Sequence, residues 1–175
     1  MKKLSALLLA FIMVISVCGC DLLDDDTPKK ETGNVSSASS SKPKDETFGL
    51  NDTAVFDAIK VTASEIKESE GKSFFTPGEG NVFVGVKFTI ENTSDEAQNI
   101  SSVLLFDAYL DGVKLEYSIS AAAAFDGTLD GEITPGKKLV GYYAVEVPKD
   151  WKELELQVKS SWLLNNRAAF VFKNK

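Results

Sequence analysis

Histidine is absent from all 175 residues. That absence removes His-based catalytic triads, His-ligated metal centres and His pH switches from consideration. Cysteine is nearly as scarce: Cys18 and Cys20 are the two in the chain, both close to its start. Beyond them no disulfide can form, and the remainder must hold its fold by burial alone. Basic charge is also in deficit, with 19 Lys and Arg against 26 Asp and Glu. A net-acidic chain lacks the basic footprint that nucleic-acid binding needs. The same balance argues against electrostatic adhesion to anionic lipid.

One long apolar run exists, Leu4 to Val17, broken by Ser5 and Ser16 and preceded by Lys2 and Lys3. It is shorter than the roughly 20 residues a membrane-spanning helix needs, and the order of its parts is that of an export signal. Val17-Cys18-Gly19-Cys20 follows and resembles the lipobox of bacterial lipoproteins. Such a motif places small residues before the cysteine that receives diacylglycerol. Gly19 suits a cut ahead of Cys20, whereas a cut ahead of Cys18 would fall beside branched Val17. An ordinary secretory signal would need no boundary cysteine. An uncleaved anchor would need a longer run before Asp21 and the acidic Asp24, Asp25 and Asp26. The expectation is a signal peptide over 1–19, lipidation of Cys20, and a chain held on the outer face of the bacterial cytoplasmic membrane. Each buried methylene contributes about 0.8 kcal/mol, and two or more acyl chains anchor stably. Loss of Lys2 and Lys3 takes the 19 basic residues to 17 against 26 acidic, a net of −9.

From Cys20 to Thr47 the composition turns to Ser, Pro and charge, with Ser36, Ser37, Ser39, Ser40 and Ser41 at its centre. A segment with so little to bury is predicted to be a disordered tether. As a flexible chain it would span on the order of 30 Å. Residues 48–175 then have the length of one domain. Their periodicity is two, the sign of strands. Val82, Val84, Val86, Phe88 and Ile90 alternate with Phe83, Gly85, Lys87 and Thr89. Similar alternation covers Ile59–Val61, Phe106–Leu110, Leu139–Val147, Leu154–Val158 and Ala169–Phe172. Asp111-Gly112 predicts a tight hairpin returning through Val113, Leu115 and Tyr117, and Pro135-Gly136 predicts a turn. The count is about seven to eight strands, the pattern of an antiparallel β-sandwich. Ile119 to Phe125, with four consecutive alanines, is the one place with helical propensity and is read as a loop or short turn.

Two stretches carry a family resemblance: Val82-Phe83-Val84-Gly85-Val86-Lys87-Phe88-Thr89-Ile90-Glu91-Asn92-Thr93-Ser94, and Ile133-Thr134-Pro135-Gly136 running on to Gly141-Tyr142 and Val147-Pro148. In this order, behind a lipobox and a Ser-rich tether, they resemble a domain of unknown function found in lipoproteins of Gram-positive bacteria. That family is placed with the immunoglobulin-like, telokin-like sandwiches and is similar in fold to a secreted immunoprotective antigen. The resemblance implies an immunoglobulin-like β-sandwich over 48–175 and brings no catalytic residues with it.

Candidate sites are few. Asp126, Asp130 and Glu132 cluster, and paired carboxylates can run acid–base chemistry. A solvated acidic loop explains them equally well and is the preferred reading. Their spacing misses that of an EF-hand, so they are weak candidates for calcium, and no cofactor is expected. Trp151 and Trp162 flank the Leu156 strand, and exposed aromatics can anchor a protein or stack on a glycan. A core role for one Trp is preferred, as is a split of Tyr142 and Tyr143 between two faces. Phe74 and Phe75 stand in a polar loop, either tucked beneath the sandwich or forming an exposed apolar patch. The tucked placement is preferred. The expected function is a non-catalytic interaction module, membrane-bound through Cys20, with an extracellular protein or glycan partner and no set oligomeric state. A structural or envelope-stress lipoprotein without specific ligand is the alternative, and a carboxylate-dependent hydrolase the more distant one.

Overall fold

Strict alternation along one long strand sets the architecture. In β5 (Asn81–Asn92), Val82, Val84, Val86, Phe88 and Ile90 are all buried on one face. A computed structural model describes residues 29–31, 47–161 and 166–174. The signal segment, Cys20, most of the expected tether and Trp162 lie outside the described residues. β5 sits between β4 (Ile59–Ser69) and β10 (Lys138–Pro148) in a five-stranded sheet ordered β1-β3-β4-β5-β10. Here β1 is Lys29–Glu31 and β3 is Thr53–Val55. The facing sheet is ordered β2-β12-β11-β7-β8, from β2 (Thr47–Phe48), β7 (Phe106–Leu110), β8 (Val113–Leu115), β11 (Glu153–Lys159) and β12 (Arg167–Lys173). A small pair, β6 (Gln98–Ile100) with β9 (Gly131–Ile133), completes the set. All pairings are antiparallel except β2 with β12. The fold is thus the expected all-β sandwich. Twelve strands among the described residues exceed the expected count because six have three residues or fewer, too short to show a period.

The core between the sheets is aromatic at its centre. Phe88 of β5 meets Phe106 of β7 and Phe170 of β12 edge-on, with centroids 5.2 and 5.3 Å apart. Tyr143 of β10 stacks on Phe106 at 4.9 Å. Leu154, Leu156 and Val158 of β11, the strand between β7 and β12, belong to the same core. Tyr142, next along β10, falls on the outer face, so the two tyrosines do split.

Asn92 joins the two sequence stretches quoted above. Its side chain is fully buried, with Nδ2 donating to the carbonyls of Glu96 and Ile133 and Oδ1 accepting from the Ser94 backbone N–H and hydroxyl. Its backbone N–H reaches the Lys137 carbonyl while its carbonyl accepts from Gly136. Every polar atom of this buried amide is therefore satisfied, as burial demands. Asp111 and Gly112 both have positive φ, 47° and 81°, as the predicted hairpin requires.

Four features differ from expectation. Ile119–Ala123 is a helix, α2, rather than a loop, with Ser118 Oγ accepting from the Ala121 N–H as its N-cap. A second short helix, α1 (Ser102–Leu105), was not expected. Tyr117 lies past the end of β8. Within the expected tether, Lys29–Glu31 pairs with β3 instead of remaining free. Lys30 explains the docking, because its ammonium lies 2.9 Å from Asp52 and donates to the Thr47 carbonyl.

α2 roofs the outer face of the β5 sheet. Phe83, Ala121, Phe125 and Ala144 form a second small core there. Gly85 and Ala144 are register partners, and their small size leaves the depression that Phe125 fills. A Cβ on Gly85 would lie 2.6 Å from the Phe125 ring. Gly85→Ala should therefore cost about 1–3 kcal/mol in urea unfolding, the usual range for overpacking. In a Phe125→Ala background the same change should cost almost nothing. Equal costs in both backgrounds would contradict this packing.

Candidate functional site

The link from β4 to β5 contains Phe74 and Phe75, and its backbone is tightly specified. Lys72 and Phe75 exchange both main-chain hydrogen bonds, at 2.9 and 3.0 Å, closing a two-residue turn over Ser73 and Phe74. Ser73 takes φ 56° at the first central position. Gly71, at φ 104°, lies so close that a Cβ would run into the Phe75 carbonyl. The base of the loop is tied to β10. Gly78 N–H and Asn81 Nδ2 both donate to Glu146 Oε1 at 2.8 Å, and Lys149 pairs with Glu70 at 3.0 Å.

This turn corrects the tucked placement. Phe74 is 98% exposed and Phe75 42%. Central residues of a two-residue turn project past the strand ends, where no core lies beneath them. For Trp151 the preferred core role holds, and its candidacy as an interaction residue falls. It is 5% exposed, packed in the main core with Nε1 donating to Glu68 at 3.0 Å. Trp162 lies outside the described residues.

A cation–aromatic cluster adjoins the turn. Lys72 Nζ reaches Asp126 at 2.7 Å, linking the turn to the segment after α2. Phe125, next in sequence, stacks on Tyr142 at 5.2 Å. Lys67 lies over the Tyr142 ring at 5.0 Å and Lys87 at 5.8 Å, within cation–π range. Tyr142 donates to Glu65 at 2.6 Å. Burial and then this hydrogen bond push the Tyr142 phenol up, while the same bond holds the Glu65 carboxyl below its usual range. Both shifts lead away from neutrality, so neither group is poised to exchange protons near pH 7. Inside the sandwich, burial chiefly, with Asp107 and Tyr117 nearby, pushes the Tyr143 phenol up to about 12.

The three candidate carboxylates do not converge. The Lys72 ion pair holds Asp126 below its usual carboxylate range. Asp130 accepts from Ser102 N–H at 2.8 Å, from the Ser102 hydroxyl and from Thr128 at 2.7 Å, and so secures the start of α1. Glu132 lies exposed on β9 opposite Asn99. Among the described residues no three His, Cys, Asp or Glu come close enough to hold a metal ion. A cavity of about 40 Å³ opens beside Ser102, Tyr117, Thr128, Asp130 and Tyr143. It admits a few waters at most and is far below the roughly 300 Å³ of the smallest usual ligand pockets.

Sequence reasoning did not find Lys67, Lys72, Lys87, Glu65 or Phe125. A bulge between Ala63 and Glu65 changes the parity of β4 and brings Glu65 and Lys67 onto the outer face beside Lys87 and Gly85. Gly85 within a strand was the available signal, since such a glycine often marks a close approach.

The fold has counterparts in solved structures. A candidate lipoprotein of Bacillus subtilis, YcdA, superposes with TM-score 0.53 at 16% identity, over 67% of this chain and 37% of its own. The present chain thus spans little more than a third of that protein. An uncharacterized β-sandwich protein of Clostridium difficile gives 0.50 at 17% identity, over 78% of this chain and 100% of its own. A conserved hypothetical protein of Bacillus anthracis gives 0.51 at 17% identity, over 74% and 99%. No curated protein matches. Residues 48–169 match the model of a domain of unknown function, DUF4352, and the chain belongs to that family.

Proposed function

We propose that this chain is a lipid-anchored, extracellular, non-catalytic interaction module whose contact surface is the Phe74–Phe75 turn. One observation carries the assignment of the surface: Phe74 is 98% exposed on a backbone held by reciprocal hydrogen bonds. Ordering a large apolar side chain in water gains nothing for the fold, and a rigid aromatic is the kind of residue that anchors binding at low entropic cost. Lys72 and Asp126, with Lys67 and Lys87 over the half-buried Tyr142 ring, supply the polar and cationic rim. The partner is an extracellular protein or glycan.

The anchor reading rests on the boundary Gly19-Cys20 and is supported by the candidate lipoprotein among the structural neighbours. The resemblance of its two sequence stretches to a domain found in lipoproteins of Gram-positive bacteria supports the same extracellular placement. The non-catalytic reading is supported by carboxylates that are paired or used as structural ties, and by a tyrosine and glutamate shifted away from neutrality.

Two outcomes test these parts separately. Cys20→Ala should abolish incorporation of labelled palmitate and release the chain from the cell surface. Membrane retention without label would contradict the anchor. A photo-crosslinking phenylalanine analogue at position 74, in living cells, should yield a discrete protein or glycan adduct. The same analogue at the exposed Val113 should not. Identical patterns at both positions would contradict the turn as the contact surface.

A further inference from the structure

Beyond the roof of α2, register sorts the outer face of the five-stranded sheet into rows of side chains. The first row runs Val55, Lys60, Glu91 and Lys138 across β3, β4, β5 and β10. The second runs Thr53, Thr62, Thr89 and Val140 across the same strands. The third, past the β4 bulge, is Glu65, Lys87 and Tyr142 on β4, β5 and β10. Lys138 pairs with Glu91 at 3.0 Å and Lys87 with Glu65 at 3.9 Å, and each of the four still exposes about a third or more of its side chain. The middle row carries no charge. Its members are all β-branched, Thr53 and Thr62 share a hydrogen bond at 2.8 Å, and Val140 is 47% exposed.

We infer that this face pairs with the same face of a second copy, about a two-fold axis lying along the threonine row. Such an axis sets each strand opposite its own copy and exchanges the first row with the third. Lys60 then faces Glu65 of the second copy and Glu91 faces its Lys87. Lys138 faces its Tyr142 ring, to which a cation is attracted. A row of positive, negative and positive thus meets a row of negative, positive and aromatic, and each contact occurs twice. Thr62, Thr89 and Val140 meet their own copies at the axis. Turned about an axis along β5 instead, Glu91 would meet itself and Lys60 would meet Lys138. The charges therefore favour one arrangement and oppose the other. A chain with 26 acidic against 19 basic residues repels its own copies over most of its surface, so a face that matches itself stands apart.

Three rows about 7 Å apart on four strands about 4.8 Å apart cover roughly 400 Å² of each copy. A total of about 800 Å² falls below the roughly 1,200 Å² of stable complexes, so the pair is weak and reversible. The axis reverses the strands, which puts the two Phe74 turns at opposite ends of the pair. Pairing takes Lys87 and Tyr142 from the rim of each turn and leaves Phe74 and Phe75 uncovered. It goes beyond the contact surface proposed above and does not depend on the lipid anchor.

The test uses the full chain in living cells, as two versions with different C-terminal tags, one of them carrying a photo-crosslinking phenylalanine analogue at position 89. An adduct bearing both tags should form. The analogue at Val113, exposed on the other sheet, should give none. With Lys87→Glu in both versions, or Glu91→Lys in both, like charges oppose at two places and the yield should fall at least about tenfold. With Lys87→Glu in one version and Glu91→Lys in the other, every facing pair is again of opposite sign, and the yield should return. Two misfolded chains could not rescue each other, so this recovery also excludes misfolding. The pairing would be overturned by the lack of a doubly tagged adduct at position 89, or by an adduct there with a different protein. Equal yields in all four combinations, or a mixed pair that stays low, would overturn it as well.

Discussion

The contact of Phe88 with Phe106 and Phe170 is the constraint on which the rest of the molecule depends. With Cys18 and Cys20 the two cysteines of the chain, and neither in a strand of the two sheets, no disulfide can hold one sheet on the other. The sheets are joined by apolar packing, and a ring from β5 wedged between rings from β7 and β12 sits at its centre. Full burial of each such side chain contributes roughly 1.5–3 kcal/mol, so the loss of one is a large fraction of a small domain's stability. The same strand does a second task on its other face. Gly85 and Phe83 lie under Phe125, and that second layer brings the segment after α2 against the Phe74 turn.

Much of this is legible in the residues. Alternation through Val82 to Ile90 states both the strand and its buried face, and Asp111-Gly112 states the hairpin. Asn92 is legible only in part. It stands in the first motif, at the end of β5, but that its amide grips Ile133 in the second is a long-range fact. The elements that escaped share a cause. β1 has no apolar pattern and exists because Lys30 finds Asp52 and Thr47 across the fold. α2 places Ala121 in the second small core with Phe83, Phe125 and Ala144, contacts distant in sequence, and the β4 bulge is invisible until register is known.

The site was legible as two phenylalanines in a polar loop and misread as to direction. Apolar residues usually find a core, and nothing local says that the two-residue turn closes over Phe74. The deciding features are the positive φ at Ser73 and the crowding at Gly71, both consequences of backbone geometry. For Trp151 the preferred core role holds, although its bond to Glu68, on a strand some eighty residues earlier, is visible only in the fold. Rigidity and exposure together distinguish a presented side chain from one that is merely unburied. The loop has its rigidity from Glu146, Lys149 and Lys72, all reaching across to other elements.

That combination can be measured directly by backbone amide relaxation over residues 70–80 in the folded domain. The account predicts order parameters for Lys72 to Phe75 near the rigid value of about 0.85, equal to those of β4 and β5. Values below about 0.6 at Ser73 and Phe74, with β4 and β5 remaining rigid, would contradict it.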